Sequence, residues 1–372
     1  MKSNHFQTLL RTLLALSLAA VAAAAQEARP ATSALTIQGT RFYLDGKPFY
    51  FEGVSFFNAL YNKEFNQSPA ARERWLRKFK SYGITVLRVW ADWRVTNGWV
   101  DEGPDNSLYV YPEMGRNGRL FVPKNPQLNP AALSRVKDLA LAANREGMVV
   151  ELCLFTHYLV YPRETRSAYI RLVTRELKPY RNLYFEIWNE WSDDVVEHYK
   201  EIKRLDPARL VTNSPEGPNY AFGSDEESQA LDFLSPHTTR KGNFWETAPL
   251  EIRQLLETYK KPVVDDEPAR CGTLKFGGSG QTEIAHHIAQ IDAVRKIGGY
   301  HTYHHDMFQL GYGDPSIPPS GIPDPEFSPF HLKVFQYLRS IAPPEVTKSG
   351  SARMGPGGSQ WWLPPIQLAG NR

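Results

Sequence analysis

The sequence lacks the features that mark disulfide-rich, nucleic-acid-binding and membrane-spanning proteins. It contains 2 cysteines in 372 residues, too few for a disulfide scaffold, and the positions of Cys153 and Cys271 leave open whether they pair. Its formal net charge is only +3, so no basic surface for nucleic acid is indicated. No second long apolar run follows the one at the N-terminus. We therefore expect neither a nucleic-acid partner nor a membrane partner for the mature chain.

Residues 1–25 have the composition of a secretory signal peptide. Lys2 and Arg11 accompany a Leu- and Ala-rich core, and Ala23 and Ala25 supply small residues for cleavage. The apolar core is short for a membrane span, although an uncleaved membrane anchor is the alternative. We therefore predict that the mature protein is exported to a bacterial periplasm or secreted.

Strands and helices alternate through most of the chain, after a short hairpin predicted at Asp45-Gly46. About eight apolar runs have the near-continuous hydrophobicity of parallel strands. No Gly-rich phosphate loop follows the first of them, which argues against a dinucleotide-binding fold. The pattern predicts an α/β protein, a (β/α)₈ TIM barrel with an N-terminal β-hairpin over residues 33–342. Residues 343–372 lack periodicity and are predicted to form a linker-like tail.

In such a barrel, the side chains that follow the strands meet at one face. The polar residues predicted at these positions are Arg88, His157, Asn189, Glu190, His237, Asp265, Asp266, Glu267, His304, His305 and Asp306. Among them, Glu190 after strand four and Glu267 after strand seven would face each other across the barrel mouth. Paired carboxylates in this arrangement suit retaining glycoside hydrolysis, in which one acid protonates the leaving oxygen and the other attacks the anomeric carbon. The alternative is that each acid is a hydrated rim residue.

Five motifs resemble those of one enzyme group in order and spacing. They are GKPFYFEG, LRVW, FEIWNE, LDFLSPH and KPVVDDEP. Together they resemble the clan-A retaining glycoside hydrolases, especially the cellulase and mannanase branch, glycoside hydrolase family 5. The resemblance covers roughly residues 36 to 342.

The resemblance implies a role for each matching residue. Glu190 would be the general acid/base and Glu267 the nucleophile. Asn189 would bond the sugar 2-hydroxyl, and Arg88 would lie beneath the nucleophile and hold it ionised. His237 would orient a carboxylate or the sugar.

The chain departs from the family pattern at two places. Thr239 stands where the family has a tyrosine that bonds the nucleophile, and strand eight reads YHTYHHD where the family has a tryptophan platform. Tyr303 or a histidine is the expected substitute for that platform. Asp266 is the alternative nucleophile, one residue from Glu267.

Other aromatic and histidine side chains are candidate sugar contacts. Trp90, Trp191 and His157 follow predicted strands and are expected to bind substrate, with packing under loops as the alternative for the tryptophans. The histidines of HTYHHD could instead bind a metal. On a strand, however, only two of those ligands would share a face, and we favour a polar rim for sugar hydroxyls.

The sequence therefore predicts a secreted O-glycoside hydrolase that cleaves a β-linked oligo- or polysaccharide by double displacement. It is expected to act as a monomer, without a metal or other cofactor, through a glycosyl-enzyme intermediate on Glu267. A non-catalytic glycan-binding protein on the same scaffold is the alternative. Glu186, inside the strand that ends at Glu190, is expected to be paired, with Arg88 as the candidate partner. The sugar, its linkage and the choice between endo and exo action stay open.

Overall fold

A computed structural model describes most of the predicted barrel. The described residues are 32–92, 107–110, 125–156, 161–215, 223–240, 242–268, 283–305, 308 and 321–348. The predicted signal peptide and nearly all of the predicted tail lie outside these residues, as do His157, Cys271 and Asp306. None of the described helices is long and apolar enough to cross a membrane.

An antiparallel hairpin sheet opens the described chain. Its strands are β1 (Leu35–Gln38), β2 (Arg41–Leu44) and β3 (Lys47–Pro48). Asp45 and Gly46 both have positive φ angles, 50° and 73°, as a tight hairpin turn requires, and the predicted turn is confirmed. The sheet packs on residues at the beginnings of the barrel strands; this cluster comprises Leu35, Phe42, Phe51, Val86, Val149, Tyr184, Phe233 and Val264. The hairpin therefore closes the N-terminal end of the barrel.

In the described part of the chain, seven parallel strands form the main sheet. They are β4 (Gly53–Ser55), β5 (Val86–Trp90), β6 (Val149–Thr156), β7 (Leu183–Asn189), β8 (Val211–Ser214), β9 (Val264–Asp265) and β10 (Tyr300–Tyr303). Their order is β8-β7-β6-β5-β4-β10-β9. The segment between β8 and β9 bonds to both edges, because Asp232 N donates to Val211 O (3.1 Å) and Val264 N donates to Leu234 O (2.8 Å). This segment occupies the place of the sixth strand, and the predicted (β/α)₈ barrel is confirmed.

Helices cover the outside of the barrel. They are α1 (Pro69–Ser81), α2 (Pro130–Arg145), α3 (Arg163–Leu177), α4 (Val195–Leu205), α5 (Asp225–Ala230), α6 (Phe244–Tyr259), α7 (Ile284–Lys296), α8 (Pro329–Ile341) and α9 (Pro344–Thr347). Ser68 caps the N-terminus of α1, because its Oγ accepts a hydrogen bond from Ala71 N. Helix α6 contains Pro249 and begins before it, at Phe244, because the buried residues Phe244 and Ala248 extend its apolar face by a turn.

The fold has two buried regions of different composition, one between the strands and the helices and one inside the barrel. Between strands and helices lies one large apolar core. Inside the barrel, the apolar layer at the hairpin end is followed by fully buried charged side chains: Arg88, Glu151, Glu186 and Asp266. Buried charges of this kind require partners, and they form the floor under the C-terminal face, where the predicted site residues lie.

Candidate active site

Glu190 is presented at the barrel mouth by an irregular end of β7. Its φ of 57° lies in the left-handed region, which costs a non-glycine residue about 1 kcal/mol or more. Asn213 of β8 holds this turn from both sides. Its Oδ1 accepts from Trp188 N (2.9 Å) and its Nδ2 donates to Trp191 O (3.0 Å). The strained turn leaves the Glu190 carboxylate partly exposed, 21% at the side chain.

The three consecutive acids at the end of β9 face three different surroundings. Asp265 Oδ1 accepts from Thr238 Oγ1 (2.9 Å) and its Oδ2 from Gln290 Nε2 of α7 (2.8 Å), on the helix side of the barrel. Asp266 is fully buried inside the barrel. Glu267 alone faces Glu190. Of the three acids, Glu267 is therefore the one whose carboxylate lies beside Glu190 at the barrel mouth.

Glu190 and Glu267 are brought together with His237 between them. One carboxylate oxygen of each glutamate and one nitrogen of His237 all lie within 4.8 Å of one another. His237 Nδ1 is 2.8 Å from Glu267 Oε2 and 3.2 Å from Glu190 Oε1. The structure therefore assembles the pair expected from the sequence and places His237 where it contacts both acids.

Two further side chains hold Glu267. Arg240 Nη2 is 2.8 Å from Glu267 Oε2, and Arg240 Nη1 is 3.6 Å from Glu190 Oε1. His304 Nε2 is 3.0 Å from Glu267 Oε1. Sequence reasoning missed Arg240, which lies just after Thr239, the residue that stands in the place of the expected tyrosine. Its guanidinium donates to the nucleophile candidate, the contact that the tyrosine would have made.

The charges of this cluster set the protonation states of Glu190 and His237. Burial and the charge of Glu267 raise the pKa of Glu190, but His237 and Arg240 outweigh them and lower it to about 2. Burial lowers the pKa of His237, but Glu267, Glu190 and Asp266 outweigh burial and raise it to about 9. At neutral pH Glu190 is therefore a carboxylate and His237 an imidazolium.

Arg88 forms the floor beneath this cluster. Its Nε donates to Glu186 Oε2 (2.9 Å) and its Nη2 donates to Asn189 Oδ1 (2.7 Å). The ion pair between Arg88 and Glu186 is as expected. Below the nucleophile candidate, however, Arg88 contacts the preceding residue: its Nε is 3.5 Å from Asp266 Oδ2. Burial lowers the pKa of Arg88, but Asp266 and Glu186 outweigh burial and raise it well above its usual value.

Replacing Arg88 by methionine is expected to lower the free energy of unfolding by about 3–5 kcal/mol, because it leaves the buried acids Glu186 and Asp266 without their cation. The matched control is Arg163→Met, whose side chain is 55% exposed and 3.3 Å from Asp194; its loss should be below about 1 kcal/mol. Denaturant unfolding measures both values. Equal losses in the two variants would contradict the structural role of Arg88.

Trp90 and Tyr303, two of the other predicted sugar contacts, are packed against other side chains. Trp90 is 1% exposed and stacks on Phe57, with ring centroids 4.1 Å apart, so it is a packing residue rather than an open platform. Tyr303 points to the helix side, where its hydroxyl is 3.0 Å from His331 Nδ1 of α8. Trp191 is half-buried at the site rim, and it remains a candidate. His157 lies outside the described residues.

Within the described part of the chain, two triads have the spacing of metal ligands. Their ligand atoms lie within 4.8 Å of one another in the groups Glu186–His237–Asp266 and Glu190–His237–Glu267. A guanidinium group already neutralises the acids of each triad. Arg88 pairs with Glu186 and Asp266 of the first, and Arg240 pairs with Glu267 of the second. Two histidines at the end of the last strand contact different acids. His301 of β10 contacts Glu52, and His304, just after β10, contacts Glu267. The donor sets therefore fit ion pairs better than a metal.

Comparisons with known proteins identify the fold. No family model and no curated protein matches the sequence. Among solved structures, the chain is similar to a β-1,4-D-mannanase from Cryptopygus antarcticus, with a TM-score of 0.55, 16% identity and coverage of 86% of this chain and 98% of that one. An endo-1,4-β-mannanase from Rhizomucor miehei has a TM-score of 0.53 and 17% identity, covering 74% and 90%.

A glycoside hydrolase family 5 protein from Bacteroides vulgatus has a TM-score of 0.52 and 16% identity, covering 74% of this chain. The chain spans 62% of that protein's length, so the bacterial neighbour is considerably longer. At these identities the likeness establishes architecture. The chain has the (β/α)₈-barrel fold of the β-mannanases and of a family 5 glycoside hydrolase.

Proposed function

We propose that this protein is an O-glycoside hydrolase that cleaves a β-linked glycan with retention of configuration. The observation that carries the proposal is the Glu190–Glu267 pair, whose nearest oxygens lie within 4.8 Å. Retaining enzymes have carboxyl groups about 5–5.5 Å apart, whereas inverting enzymes need about 6.5–9.5 Å to admit a water molecule. The proximity of these two oxygens supports direct attack by one carboxylate rather than the inverting reaction.

The surroundings of the two acids suit different roles. Glu267 is 2% exposed and is bonded by Arg240, His237 and His304, so its carboxylate is held ionised and oriented for attack on the anomeric carbon. Glu190 is the more exposed of the two and can reach a glycosidic oxygen. Asn189 Oδ1 accepts from Arg88, so the amide NH₂ of Asn189 is the group that would donate to a sugar 2-hydroxyl.

The proton for the leaving group comes from His237 through Glu190. In the first step Glu267 attacks the anomeric carbon and the glycosidic bond breaks. Glu190 takes the Nδ1 proton of His237 and passes it to the leaving oxygen, which leaves His237 neutral. In the second step Glu190 removes a proton from water and returns it to His237, and the resulting hydroxide releases the sugar from Glu267. Each turnover consumes one water and restores every group.

This route predicts an alkaline limit to activity set by His237. The pKa of His237 is raised to about 9, above its ordinary value, so the proton is present at neutral pH and is lost as the pH rises through about 9. We expect kcat/KM to hold to about pH 8 and to fall above pH 9, with circular dichroism as the control for unfolding. A loss of kcat/KM centred near pH 5–6, without unfolding, would contradict this route.

The substrate class is an extension of the same proposal. Two of the structural neighbours are named as β-1,4-mannanases, so β-1,4-mannan is the first polymer to test, followed by β-glucan and β-galactan. The signal-peptide-like composition of residues 1–25 supports export of the protein, which would bring it to such polymers.

A panel of these polymers and of aryl β-glycosides tests the proposal. We expect the parent protein to release reducing sugar from at least one of them, and the double variant Glu190→Gln/Glu267→Gln to release none. The non-catalytic alternative predicts binding without release. Hydrolysis that persists in the double variant would overturn the assignment of the pair.

A further inference from the structure

The side of His237 that faces away from the catalytic pair meets a second buried acid. His237 Nε2 is 3.6 Å from Asp266 Oδ1, and neither atom has a hydrogen-bond partner among the described residues. Both side chains are buried: His237 is 1% exposed and Asp266 is 0% exposed. The roles assigned so far to Glu190, Glu267 and Arg240 do not use this contact.

The geometry determines which nitrogens of His237 carry hydrogen. Nδ1 contacts oxygens of Glu190 and Glu267, so it must donate. A bare Nε2 would turn its lone pair toward the Asp266 carboxylate in a site of low dielectric, which is repulsive. A hydrogen on both nitrogens removes this repulsion, so the position of Asp266 favours the imidazolium.

Asp266 is itself held so that Oδ1 faces the imidazole. Its Oδ2 accepts from Ser214 Oγ (2.7 Å) and is 3.5 Å from Arg88 Nε. Both anchoring contacts use the same oxygen, which leaves the other for His237. Burial raises the pKa of Asp266 to about 7 although Arg88 and His237 oppose that shift, so Asp266 carries its charge above about pH 7.

We propose that Asp266 is a positioning residue that keeps His237 protonated on both nitrogens and thereby keeps the proton of the catalytic pair available. This inference rests on the proposed function for its catalytic meaning. The groups that face His237 are Glu190 and Glu186 from β7 and its exit, Asp266 and Glu267 from the end of β9, and Arg240 of its own loop. Among these acids, Asp266 is the one whose carboxylate lies 3.6 Å from Nε2.

Nitrogen-15 NMR of the full chain labelled in its ten histidines tests the proposal without any substrate. The His237 signal is assigned by its loss in His237→Gln. In the parent, both ring nitrogens should be protonated at about pH 8. In Asp266→Asn the titration of His237 should move to lower pH by about one unit or more, since an adjacent carboxylate shifts a histidine pKa by that order.

Asp265→Asn is the matched control, because Asp265 precedes Asp266 but bonds Thr238 and Gln290 on the helix side. It should leave the His237 titration in place. An unmoved titration in folded Asp266→Asn would overturn the proposal. If Asp266→Asn is not recovered folded, Asp266→Ser is measured in its place. It too removes the carboxylate, so the His237 titration should move in the same direction, and an unmoved titration overturns the proposal.

The alkaline limb of kcat/KM on β-1,4-mannan or β-glucan supplies a second readout, because the leaving oxygen of these polymers needs the proton. It should move to lower pH in Asp266→Asn by the same amount as the NMR titration. A structural role alone would lower kcat/KM equally at every pH, and that outcome would also overturn the proposal. The proposed function fails separately, if the Glu190 and Glu267 variants keep activity, and the NMR titration does not depend on that result.

Discussion

Glu267→Ala is expected to lower kcat on a β-glycan by roughly 10⁴–10⁶-fold, the order observed when a catalytic nucleophile is removed. Alanine leaves the anomeric carbon without an attacking group while His237, Arg240 and His304 lose the carboxylate that they bond. The space left by the side chain admits a small anion. Sodium azide should therefore restore turnover of dinitrophenyl β-glycosides of mannobiose and cellobiose, and should give a glycosyl azide of inverted configuration.

The control for this loss is Glu257→Ala, an exposed glutamate on α6, which should retain the parent rate with and without azide. Asp266→Ala is a second comparison, because Asp266 was the alternative nucleophile. If azide restored turnover with an inverted product in Asp266→Ala and not in Glu267→Ala, the nucleophile would be Asp266.

Glu190→Ala is expected to affect substrates according to their leaving groups. For β-mannan or β-glucan, whose leaving oxygen needs a proton, the rate should fall by about 10²–10⁴-fold, the usual contribution of general acid catalysis. Dinitrophenyl glycosides leave without protonation, so the formation of the glycosyl-enzyme should be almost unchanged. Azide should then attack the intermediate and give a glycosyl azide of retained configuration.

Steady-state rates on the polymer and the dinitrophenyl glycoside, measured side by side, check this prediction. His237→Gln is the informative comparison, because it removes the proton source and leaves the Glu190 carboxylate in place. Equal losses of Glu190→Ala on both substrates would contradict the acid/base role.

The barrel could be predicted because local signals agreed with the global pattern. The Asp45-Gly46 turn, the Ser68 cap and the near-continuous apolar strands each specify an element without knowledge of distant contacts. The two glutamates could be placed at the mouth for the same reason, since the C-terminal ends of all barrel strands meet at one face.

What sequence could not give was the direction of individual side chains near strand ends. A shift of one residue turns a strand side chain to the opposite face. Tyr303 was expected in the site, and the structure turns it to the helices while His304 contacts Glu267. Arg88 likewise meets Asp266 where Glu267 was expected.

Arg240 was missed for a different reason. It lies in the loop after the sixth strand segment, and loop side chains carry no periodicity from which their direction can be read. The one usable signal was the absence of the expected tyrosine at Thr239, which leaves the nucleophile candidate in need of a donor. A basic residue next to that position was the available replacement.

The configuration of the first-formed product tests the central claim most directly. Proton NMR of a fresh digest of β-1,4-mannan or β-glucan resolves the α and β anomers of the new reducing end before they equilibrate. The short Glu190–Glu267 spacing predicts that the β anomer appears first and that the α anomer follows by mutarotation. First appearance of the α anomer would show inversion and would contradict the glycosyl-enzyme mechanism.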